Sequence, residues 1–62
     1  MKSLDERVTN KMEEMSQKWN EAVDVGKDWV EINTINYLAE TFGHNYEQRQ
    51  KYYDIYYRGK EE

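Results

Sequence analysis

The chain has 62 residues, 13 Asp and Glu against 9 Lys and Arg, a net charge of -4, a mean hydropathy of -1.26 and no cysteine. A chain this short buries only about 60% of its unfolded surface, and without cysteine it has neither a disulfide framework nor a Cys/His cluster for a structural zinc. No window reaches the roughly 18 apolar residues of a membrane span and no early apolar run resembles a signal peptide, so one soluble, cytoplasmic domain over 1–62 is expected, with a short charged tail at 60–62.

Leu, Ile, Val and Phe supply only 10 of 62 residues, below the roughly 20% that signals disorder in highly charged chains. Two Trp, six Tyr and three Met make up the shortfall, each aromatic bringing about 150 to 250 Å² of surface to bury. A folded chain helped by a partner or a second copy is the expectation.

Proline is absent, and Gly26, Gly43 and Gly59 punctuate segments of helical length. The first helix is predicted over about 3–25, opened by a capping box of Ser3 and Glu6. Its apolar residues, from Leu4 through Val8, Met12, Met15 and Trp19 to Val23, form a narrow seam about 100° wide. The second is predicted over 28–42, with Asp28 as N-cap and Gly43 as terminator. Trp29, Ile32, Ile35, Leu38, Ala39 and Phe42 cover about half its circumference and mark it as the central helix. The third is predicted over 45–58, with Asn45 as N-cap and Gln48 three residues on. The whole is an all-α, three-helix domain; in the alternative arrangement the first two helices fuse through Gly26 in an extended dimer.

The third helix carries "KYYDIYY", Lys51 to Tyr57, and its apolar arc spans roughly 200°, about twice what one core requires. Tyr46, Tyr53 and Tyr57 form one edge, expected to face the core. Tyr52 and Tyr56, with Arg49 and Ile55, lie further round and are the candidate partner-binding surface, since tyrosine gives contact area at little entropy cost. A second candidate is electrostatic: if the helix continues through Gly26, Glu14, Glu21, Asp24, Asp28 and Glu31 align as an acidic face perhaps 25 Å long, able to imitate a phosphate backbone.

Catalytic signals are missing. His44 is the only histidine, and no phosphate-binding loop, dinucleotide fingerprint, zinc-protease or calcium-loop motif occurs, so neither catalysis, metal nor cofactor is expected. The stretch "YLAETFGHNYEQRQKYY" resembles a helix-turn-helix: Ala39 and Gly43 have the spacing of that family's alanine and turn glycine, and Leu38 and Phe42 fit its apolar positions. His44 and Arg49 depart from the pattern where apolar residues are usual. The resemblance implies groove contacts by Gln48, Arg49 and Gln50, but a chain at -4 with no basic stripe has little attraction to phosphate.

These observations together point to a non-enzymatic protein-binding inhibitor or regulator, expected as a homodimer. Small acidic, cofactor-free chains of this length are often accessory or phage-type inhibitors, so blocking of a host enzyme or a nucleic-acid-processing complex is the expected role. A helix-turn-helix transcription regulator and a structural subunit of a larger assembly are the alternatives.

Overall fold

Local capping signals divide the chain into three helices. The computed structural model describes residues 2–61: α1 is Leu4–Glu21, α2 is Asp24–Phe42 and α3 is Tyr46–Gly59. Each helix packs against both others, α1 and α3 most extensively, in a body of 31 × 24 × 18 Å. No strand occurs among the described residues, and none of these helices is long and apolar enough to cross a membrane. The all-α three-helix architecture is therefore as predicted.

The Ser3 hydroxyl accepts from the Glu6 backbone N–H at 3.1 Å, and the Asn45 side chain accepts from Gln48 N–H at 3.2 Å, so both predicted N-caps fill orphan donors of a first turn. Gly43 closes α2 at φ 57°, left-handed backbone that a residue without Cβ adopts at no steric cost.

The junction between α1 and α2 lies earlier than predicted. Helix α1 stops at Glu21, and Ala22 and Val23 take extended backbone at ψ 155° and 170°. Asp28 is thus an interior residue of α2 rather than its N-cap, and Gly26 sits in the first turn of α2 instead of bridging two fused helices. The Lys27 ammonium donates to the Trp19 carbonyl at 2.8 Å, capping the end of α1 with a cation from the next helix. That bond ties the start of α2 back onto α1.

Val8, Met12 and Met15 of α1, Leu38 of α2, and Tyr52 and Tyr56 of α3 form the core. Phe42 stacks on Tyr52, ring centroids 5.1 Å apart and planes within 4°. Helix α3 is rotated from the expected setting. Tyr52 and Tyr56 are buried, whereas Tyr46 and Tyr57, expected inside, are 68% and 63% exposed. The reason lies in the arc itself: Tyr56 occupies its middle, and a helix wedged between two neighbours buries the centre of its apolar face and leaves the edges out.

Helix α2 breaks that rule. Thr34 is its most deeply buried residue, followed by Leu38, while Trp29, Ile32 and Ile35 are 61%, 46% and 41% exposed. Val25, Trp29 and Ile32 lie within about 40° of the direction opposite Thr34. The large side chains of α1 and α3 already fill the centre, so α2 presents a small side chain to them, its hydroxyl donating to the Val30 carbonyl at 2.8 Å. Half of the stripe expected to make α2 the central helix, Trp29, Ile32 and Ile35, is turned to solvent.

Candidate functional site

Two of the four side chains predicted to bind a partner are structural. The Tyr52 ring is in the core and its hydroxyl donates to the Asp5 carboxylate, and Tyr56 is fully buried with no hydrogen-bond partner for its hydroxyl among the described residues. Neither can be the outer edge of α3. Ile55 is half-buried and packs against the core. Arg49 is also half-buried; its guanidinium lies 5.2 Å from the Tyr46 ring centroid and donates to the Gly43 carbonyl at 3.3 Å, bracing the turn before α3.

The acidic face does not form a continuous rod, because the extended backbone at Ala22 and Val23 interrupts the helix between Glu21 and Asp24. Glu14 pairs with Lys18 at 3.4 Å and Lys11 at 3.7 Å on the surface of α1. Glu21 ends α1, Asp24 begins α2 and Asp28 is exposed. Glu31 turns toward α3, where it accepts from the Lys60 ammonium at 2.8 Å and the Tyr53 hydroxyl at 3.4 Å.

Of the residues that the helix-turn-helix resemblance marks for groove contacts, Gln48 and Gln50 are exposed. The Gln50 amide donates to Asp54 at 2.8 Å, so of these three only Gln48 makes no side-chain bond among the described residues. His44 is exposed in the turn, its ring 6.5 Å from that of Tyr46. Among the described residues no three His, Cys, Asp or Glu side chains converge to hold a metal ion.

What the fold does assemble is an apolar surface. Val25, Trp29, Ile32 and Ile35 follow one another along the outside of α2. At Ile35 this stripe meets an open groove between α2 and α3, whose other walls include Leu38, Tyr46, Arg49 and Tyr53. Sequence reasoning registered Trp29, Ile32 and Ile35 as apolar but assigned them to the interior. The signal that could have found them is the size of the apolar arc on α2 beside an already wide arc on α3, more than one small core can accept.

The electrostatics of α3 follow burial. Desolvation pushes the Tyr56 phenol up to about 12, with Glu31 and Tyr53 adding to it and Thr34 offsetting it in part. Tyr53 is raised by burial and by Glu31, and Tyr52 by its bond to Asp5 and by burial. Asp5 is held below its usual value chiefly by that same bond, with Lys51 assisting. Comparison of the chain with protein-family models, with curated proteins and with solved structures returns no match.

Proposed function

We propose that this chain is a non-enzymatic, protein-binding regulator or inhibitor that works as a homodimer, and that the outward apolar face of α2 is the surface its two copies share. The observation that supports this is the direction of that face, since a helix buries its apolar stripe unless something outside the chain covers it. Val25, Trp29, Ile32 and Ile35 expose on the order of 400 Å² together, within the range of the largest patch on a monomer. Two such patches with their polar rims approach the roughly 1,000 Å² that separates a specific interface from an incidental contact.

A twofold arrangement suits the stripe. Antiparallel α2 helices crossing at Ile32 set Trp29 of each copy against Ile35 of the other, an isologous contact that closes on itself. A second copy also supplies what so small a core lacks, because association stabilises the folded state by mass action. Tyr57, on the exposed edge of α3, is left for a target protein, and tyrosine is among the residues that dominate binding energy at such surfaces.

Sedimentation equilibrium at micromolar concentration tests the dimer. The expected result is twice 7.6 kDa for the wild type and a monomer for Ile32→Glu, with unchanged helical circular dichroism because Ile32 is not part of the core. A wild type that stays monomeric at every concentration would overturn self-association and leave the face to a different protein.

A further inference from the structure

Lys60, just past α3, closes over a cluster of rings. Lys60, the C-cap of α3, has a side chain only 14% exposed, and its ammonium donates to Glu31 Oε1 at 2.8 Å. The ring centroids of Trp19, Tyr57 and Tyr56 stand 4.3, 5.2 and 5.3 Å from the same nitrogen. An ammonium bounded by three π faces and one carboxylate has the surroundings that recognise such cations, because ring quadrupoles attract the charge and the carboxylate neutralises it. The site draws on all three helices, Trp19 from α1, Glu31 from α2, and Tyr56 and Tyr57 from α3, so the fold itself builds it.

Nearby contacts hold the occupant in place. The Asn20 amide donates to the Gly59 carbonyl at 2.9 Å and accepts from Glu61 N–H at 2.5 Å, gripping the chain on both sides of Lys60. Gly59 permits the approach, since a Cβ there would fall on the Ser16 hydroxyl. A second ammonium, that of Lys27, lies 4.0 Å from the Trp19 centroid but is bound to the Trp19 carbonyl, so it belongs to the helix junction and not to the cage. Beside Lys60 an open depression lined by Trp19, Tyr57 and Arg58 gives access from solvent.

We propose that Trp19, Tyr56, Tyr57 and Glu31 form a binding site for an ammonium ligand, either a lysine side chain of another polypeptide, methylated or not, or a free quaternary ammonium, and that Lys60 occupies it as an internal competitor. Displacing Lys60 opens the cage on the side of Trp19 and Tyr57, where the depression meets solvent. The site does not depend on self-association, and Ile32→Glu protein retains it.

The test follows the Trp19 indole N–H signal by NMR while choline, or an acetylated trimethyllysine amide, is titrated into wild type, Lys60→Ala and Lys60→Gln; Trp29→Phe assigns the two indoles. Both Lys60 variants are expected to give a saturable shift at low-millimolar ligand, and the wild type to bind about tenfold more weakly because its own lysine competes. Glu31→Gln in the Lys60→Ala background should lose most of that affinity. The tighter of the two ligands identifies the source, polypeptide or small molecule. The proposal fails if a folded Lys60 variant shows no shift with either cation, or if the neutral isostere 3,3-dimethylbutanol shifts the signal as much as choline does.

Discussion

Replacing Tyr56 with Phe removes one atom from the middle of the core and leaves the ring in place. Tyr56 is fully buried, and its hydroxyl completes no hydrogen bond among the described residues. A buried hydroxyl without a partner costs about 1–3 kcal/mol in lost hydration, so Tyr56→Phe should be neutral or stabilising by up to about 2 kcal/mol. In a domain of this size each kcal/mol raises the melting temperature by about 4–8 °C. The effect should grow with alkali. A phenol raised from 10.0 to about 12 favours the folded state below the lower value, and that contribution is lost as pH rises through the upper one; the phenylalanine variant has nothing to lose there. Circular-dichroism melts of both proteins at matched concentration, at neutral pH and near pH 11, read both effects. A loss of about 1 kcal/mol or more at neutral pH would show that the hydroxyl has a partner and that the packing around Thr34 is misjudged.

Tyr52→Phe should behave oppositely at neutral pH, lowering the melting temperature by removing the donor to Asp5. Because that bond depresses the Asp5 carboxyl below 3.8, its stabilisation is present above this value and is lost as pH falls through the lower folded one. Wild type and Tyr52→Phe melts should therefore converge in strong acid, and a difference independent of pH would rule out the carboxylate as the cause. Gly59→Ala should destabilise by about 1–2 kcal/mol despite alanine's better helix propensity, because the new methyl overlaps Ser16; a denaturant melt in which the variant gains stability would mean that α3 and α1 separate there at no cost. Duplex DNA at about 50 mM salt should show no mobility shift with micromolar protein, and a sequence-selective shift abolished by Arg49→Ala would instead revive the helix-turn-helix.

Local chemistry made the helices legible in the sequence. Ser3, Asn45 and Gly43 act within a few residues of themselves, and each caps the helix end its position predicts. Periodicity likewise identified which residues share a face on each helix. It could not say where a face points, because that depends on which neighbour reaches the centre first. Met12, Met15, Tyr52 and Tyr56 occupy it, so α3 turns the middle of its arc inward and α2 turns much of its apolar stripe outward. The same limit hid the cage around Lys60, since Trp19, Glu31 and Lys60 meet only through packing and no local spacing connects them. Nor did Gly26 mark the junction: a glycine permits a break, but the turn falls four residues earlier, at Ala22 and Val23, where the Lys27 ammonium reaches the Trp19 carbonyl and two helices lie against each other.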